Sequence, residues 1–259
     1  MNSSTLNDKP ATARQNQMEV PNSESIQQMP HNEGMSQVKG ALKYQGRKTS
    51  RANSEQRRRT ILEAALRIVV RDGVRGVRHR AVAREAEVPL SATTYYFKDI
   101  NDLITDTFTL FVEMGAEKFK AFWQESEGRL QQALSVLDGT EYSKTIFGNK
   151  MTDLAVDYVV TQLRDHRPYL QAERAFQLEC LRNENLRPVA FQHQAYLISS
   201  LEALFKRVGS SDPQSDAKLF MAVMVEVEYE GMVQGEGAIN LAPIRQRLKR
   251  QIEHMIRSY

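Results

Sequence analysis

Beyond residue 53 the apolar positions recur at helical spacing almost throughout, and no stretch alternates strictly with β-branched enrichment. The pattern predicts an all-α protein. A first helix over about 55–72 carries Ile61, Leu62, Ala65, Ile68 and Val69 as one stripe, and Gly73 follows as its stop. A short second helix, about 80–86, turns Val82, Ala83 and Ala86 inward; Glu87 and Val88 make a tight turn. Pro89 then opens a third helix ending at Phe97, at the first position that proline favours. Asp99 caps a fourth helix over about 100–125, with Leu103, Phe108, Phe111, Phe119, Phe122 and Trp123 along it. Further helices are predicted at about 129–137, 150–165, 167–183, 188–207, 213–234 and 242–257. Asp138-Gly139, Pro168, Pro188, Asp212-Pro213 and Pro243 separate them. The stretch 138–149, with Gly139 and Gly148, reads as a loop.

Composition changes the picture only at the N-terminus. Residues 1–53 hold 14 hydrophobic residues, no Phe or Trp, and many Asn, Gln, Ser and Pro. Such a segment buries too little apolar surface to offset its ordering entropy, so a disordered tail is expected over 1–53. Its last third is basic, and Met35 is a possible internal start. The longest strictly apolar run, Leu219 to Val225, is 7 residues, against about 20 for a membrane span. A single cysteine, Cys180, allows no intrachain disulfide, and a cytoplasmic protein without a membrane partner is expected.

The net charge of +3 is unevenly spread. Residues 39–98 carry 15 basic against 5 acidic side chains, and residues 101–259 carry 18 against 22. An excess so concentrated is the footprint expected of a polyanion partner. Within it, two short helices behind a supporting one form a helix-turn-helix, the second helix being the one that enters a major groove. Ser91, Thr93 and Thr94 are read as donors and acceptors for base edges. Arg78, His79 and Arg80 start the preceding helix as guanine or phosphate ligands, and Tyr95 and Tyr96 serve as phosphate anchors or packing residues. Arg57, Arg58 and Arg59 read as a solvated face.

These residues carry a resemblance. From about Ile61 to Leu103 the chain resembles the DNA-binding domain of TetR-type bacterial repressors, through Ile61-Leu62-x-Ala64-Ala65, Gly73, Val82-Ala83-x-x-Ala86, Val88, Tyr95-Tyr96-Phe97 and Leu103. Three positions depart from the family pattern: Glu87 replaces the usual turn glycine, Pro89 the usual serine, and Ile100 an early lysine of the fourth helix. Lys98 is the expected substitute for that lysine's phosphate contact.

The resemblance implies three parts: a tail (1–53), a helix-turn-helix domain (54–100), and a helical effector-binding and dimerisation domain (101–259). Dimerisation is expected through the last two helices, with Phe220, Val223, Met224, Val227, Gly231, Leu248 and Ile252 as the interface. Phe122, Trp123, Tyr158, Phe176, Cys180 and Tyr196 are candidates for an effector pocket. No phosphate-cradling glycine loop, His-Glu-x-x-His pair or nucleophile elbow occurs, so no enzymatic activity, catalytic residue, metal or cofactor is expected. The reading is a homodimeric regulator of double-stranded operator DNA, a repressor released by a small molecule. The alternatives are control by a partner protein instead, or an all-α enzyme or ligand carrier with incidental DNA affinity.

Overall fold

The computed structural model describes residues 43–47, 52–235 and 239–257, and every regular element among them is helical. Nine α-helices follow in order among these residues. They are α1 (Ala52–Asp72), α2 (His79–Glu85), α3 (Leu90–Tyr96), α4 (Ile100–Leu134), α5 (Glu141–Asp165), α6 (Arg167–Cys180), α7 (Arg187–Arg207), α8 (Pro213–Val233) and α9 (Leu241–Arg257). Short 3-10 turns lie at Val74–Gly76 and Glu184–Leu186.

Helices α1 to α3 pack as a small unit on the N-terminal end of α4, because the predicted stripe of α1 is buried with Val82, Phe97 and Leu103. Two arginines of α1 hold α2 in place: Arg67 and Arg71 donate to the two oxygens of Glu85 at 2.9 and 3.1 Å. The turn into α3 puts Glu87 at φ 54°, a left-handed conformation costing a non-glycine residue on the order of 1 kcal/mol. Pro89 stands one residue earlier than expected, as the residue preceding α3. Asp99 caps α4 as expected, its carboxylate accepting from the Asn101 N–H at 2.8 Å.

The larger part differs from the sequence pattern in two places. Helix α4 runs unbroken for 35 residues through Gly128 to Leu134, absorbing most of the separate helix expected at 129–137. A glycine inside a helix costs about 1 kcal/mol, and the burial of Leu130 and Ala133 just beyond it outweighs that cost. The expected loop over 138–149 is mostly the start of α5. The Thr140 hydroxyl accepts from the Ser143 N–H as its cap, and Phe147 is buried in the first turns. Gly148 sits there because α9 crosses close by, with Ile256 3.3 Å from where a β-carbon would stand.

Helices α4 to α9 enclose the second core, in which α9 packs mainly on α5 and α8 on α7. The tail expected over 1–53 falls largely outside the described residues. Its described part is ordered: residues 43–47 lie against α3 and α4, and α1 already begins at Ala52. Among the described residues no helix is long and apolar enough to cross a membrane.

Gly231 of α8 faces the side chain of Leu163 on α5 with no room for a β-carbon. Gly231→Ala should therefore overpack the α5–α8 contact and cost about 1–3 kcal/mol in urea unfolding. An unchanged midpoint would mean that the two helices part freely.

Candidate nucleic-acid interface and effector cavity

Helix α3 is only 7 residues long, so which side chains it presents depends on its rotation alone. Ser91, Thr94 and Tyr95 are exposed and share one face, at the spacing that groups residues three and four apart, and Lys98, two residues beyond the helix, is exposed as well. Arg78, at the N-terminal cap of α2, and Arg80 in its first turn are exposed too. His79 is half-buried, and burial lowers its pKa, which keeps the ring neutral and a poor phosphate ligand at pH 7.

Two expected contacts point inward. Thr93 is 0% exposed and its hydroxyl donates to the Leu90 carbonyl at 2.8 Å, so it packs α3 onto the core instead of meeting bases. Tyr96 is buried as well, its hydroxyl 3.0 Å from that of Ser54 on α1, which makes it a packing residue. Arg58 also departs from the solvated face expected of it. It is buried, paired with Glu55 at 2.6 Å and Asp106 at 3.4 Å, and lies 4.1 Å from the ring centre of Tyr44.

A cavity opens among α4 to α9. Its walls are aromatic and sulfur-bearing: Phe119, Phe122, Trp123, Phe147, Tyr158, Tyr169, Phe205 and Phe220, with Met151, Met221, Met224 and Met255. Of the six pocket candidates, Phe122, Trp123 and Tyr158 line it. The other three stand behind the wall. Phe176 stacks on Phe108 at 4.5 Å, Tyr196 meets Phe119 edge-on, and the Cys180 sulfur lies 3.9 Å from the Leu186 carbonyl.

The cavity also holds polar groups that sequence reasoning missed. Glu173 of α6, Glu228 of α8, His193 of α7, and Gln162 and Lys118 all reach its surface. Burial works against a charge on Glu173, but His193 at 3.6 Å and Arg174 hold its carboxyl below the usual range. Glu228 goes the other way. Burial pushes its pKa up to about 8, Glu173 adds repulsion, and Arg174, 3.7 Å away, offsets only part of this. Neither ring nitrogen of His193 has a hydrogen-bond partner within the protein. One carboxylate and one carboxylic acid thus border a largely aromatic space. The Tyr169 hydroxyl occupies the groove left by Gly115 of α4, and its ring stacks on Phe111 at 4.3 Å.

The expected dimer residues are placed differently. Met224, Val227, Gly231, Leu248 and Ile252 are buried within the chain, and Phe220 and Val223 are half-buried. Phe220, Met224 and Ile252 line the cavity. The outward stripe of α8 is instead Leu219, Ala222, Glu226, Tyr229 and Val233, at alternating steps of three and four.

Residues 148–258 match the family described as "Tetracyclin repressor-like, C-terminal domain". Three solved structures share the fold. A TetR-family member from Streptomyces coelicolor A3 is 24% identical, with a TM-score of 0.54 over 76% of this chain and 98% of its own. A transcriptional regulator from Rhodococcus sp. Rha1 is 14% identical, with a TM-score of 0.53 over 77% and 96%. The multidrug binding protein EbrR, complexed with ethidium, is 24% identical, with a TM-score of 0.51 over 76% and 98%. No curated protein matches the sequence.

The raised pKa of Glu228 has a definite sign for stability. An unfolded glutamate titrates near 4.3, so between there and about 8 the folded protein holds the extra proton and loses stability as pH rises. Glu228→Gln removes that dependence. Its urea midpoint relative to wild type should be higher at pH 8 than at pH 5.5, and a parallel offset at both would mean that Glu228 is not a buried acid.

Proposed function

We propose that this chain, a member of the TetR family of transcriptional regulators, is a homodimeric repressor that leaves its operator when a flat, cationic organic molecule fills the cavity. Two dimer-related α3 helices enter successive major grooves of a near-palindromic site, about 34 Å apart. Thr94 and Ser91 meet base edges; Arg78, Arg80, Tyr95 and Lys98 hold phosphates. The outward stripe of α8 packs with its copy, because Leu219, Tyr229 and Val233 are large apolar side chains left in solvent at coiled-coil spacing.

The observation that carries the ligand class is the pair of carboxyls, half-buried Glu173 and buried Glu228, on an aromatic wall. A planar cation stacks on the rings and pairs with this acidic end, where two carboxyls compete for the one guanidinium of Arg174, and Glu228 ionises as it binds. EbrR, with the same fold, was crystallised with ethidium, a molecule of that chemistry. Binding shifts the protein only as far as the ligand prefers one conformer. Gly115, Phe119 and Trp123 on α4 face the cavity while Leu103 on the same helix is buried with the DNA-binding unit, so a tilt of α4 reaches both.

The test begins with selection of bound duplexes from a random pool at near-physiological salt. Enrichment of an inverted repeat is expected; salt-sensitive binding without enrichment would sink the repressor reading. On the selected operator, Thr94→Ala should cost about 1 kcal/mol and relax preference at one position of each half-site. Ethidium should release the operator, and Glu173→Gln with Glu228→Gln should weaken ethidium binding at least tenfold. Equal ethidium affinity in the double variant would refute the carboxyl pair as the recognition element.

A further inference from the structure

Residues 43–47 carry the most unusual set of contacts outside the helices. The backbone N–H groups of Gln45 and Gly46 both donate into the carboxylate of Asp106, at 2.6 and 2.9 Å. Asp106 is 0% exposed, in the first turns of α4, and Arg58 approaches Oδ2, the oxygen that also takes the Gly46 N–H, at 3.4 Å. The Tyr44 hydroxyl donates to Glu113, two turns further along α4, at 2.7 Å, and its ring lies under the Arg58 guanidinium. The Arg47 N–H donates to the carbonyl of Tyr96, the last residue of α3, at 2.9 Å. Five consecutive residues are therefore fixed at both ends, to α4 and to α3. A tail resting on a surface does not need a buried carboxylate to receive its backbone, and burying one is costly unless it is satisfied in this way.

What this seating presents is Arg47. Its guanidinium lies 4.3 Å from the ring centre of Tyr95, which is 50% exposed on the same face of α3 as Ser91 and Thr94. Among the described residues no carboxylate pairs with Arg47, and Lys43 at the other end of the segment is also exposed. The neighbouring sequence adds Lys48 and Arg51 and no acid. An exposed guanidinium, stacked on a tyrosine and fixed beside a reading helix, matches a phosphate bidentately and loses little freedom when it does so.

We propose that residues 43–47 are a strap, seated on Asp106, that holds Arg47 against the DNA backbone flanking each half-site, so that the protein grips DNA with this segment as well as with α3. The strap rests on the DNA-binding reading above, and its partner is double-stranded DNA through its phosphates. Because a phosphate contact carries no sequence information, the strap adds affinity and fixes register without choosing bases.

Two variants separate charge from seating. Arg47→Ala removes the cation and leaves every seating bond in place except the stacking on Tyr95. Gly46→Val keeps every charge, but its β-carbon would stand 2.7 Å from the Phe97 ring and 3.0 Å from Asp106, so the strap cannot sit. Binding of the full-length variants to the selected operator and to an unrelated duplex would be followed across salt concentration. Arg47→Ala should bind both duplexes about threefold to tenfold more weakly, with the slope of log K against log salt smaller by about one per subunit. Gly46→Val should lose a similar factor while melting as a folded protein. If wild type selects an inverted repeat and both variants bind it as wild type does, with the same slope, the strap is overturned and the repressor reading stands. If wild type selects no sequence, that reading falls and takes the strap with it.

Discussion

One unbroken ladder of hydrogen bonds, that of α4, joins everything else in this protein. Its 35 residues span about 52 Å at the usual rise, and no proline or packing defect interrupts them. The N-terminal turns carry Leu103 and Asp106 in the small unit; Phe108 and Phe111 meet Phe176 and Tyr169 of α6; Phe119 and Trp123 face the cavity. A short pair of helices such as α2 and α3 has too little apolar surface to be stable alone, so its position is inherited from α4. A stiff rod clamped in two cores transmits a rotation from one to the other, where a hinge between them would dissipate it.

The second constraint is the cost of buried charge, which this chain meets in two different ways. In the small unit, Asp106 is surrounded by donors: two backbone N–H groups and Arg58. Burial still dominates and lifts its pKa to about 6. In the cavity, Glu173 and Glu228 share one arginine and one histidine, and Glu228 is left as the protonated member. The first arrangement is complete in itself and rigidifies; the second leaves two carboxyls competing for the one guanidinium of Arg174.

Much of this architecture was legible in the sequence. The stripe of α1, the spacing of Val82, Ala83, Ala86 and Phe97, and the Asp99 cap are local signals that tertiary packing confirms. What escaped depends on rotation or on distant partners. Thr93 and Thr94 differ by about 100° around α3, so one is core and the other exposed, and a helix of two turns has too few apolar positions to fix its phase. Helix α8 is apolar on both sides, Phe220 and Met224 toward the cavity and Leu219 and Tyr229 toward solvent, which hid which face was which. Glu173 and Glu228 are ordinary acids until two helices far apart in sequence bring them together. Residues 43–47 look like tail because their anchoring groups are backbone N–H donors, which side-chain patterns do not reveal.

The Asp106 seat has a consequence for how the chain can change by mutation. With the strap gone, the carboxylate keeps only Arg58 as a partner within the protein; with the carboxylate gone, two backbone donors lose theirs. Either single loss leaves polar groups without the protein partner they now have, whereas losing both together leaves no such mismatch between them. Strap and aspartate therefore behave as one heritable character. Trimming the N-terminus thus favours replacing an acid sixty positions downstream as well.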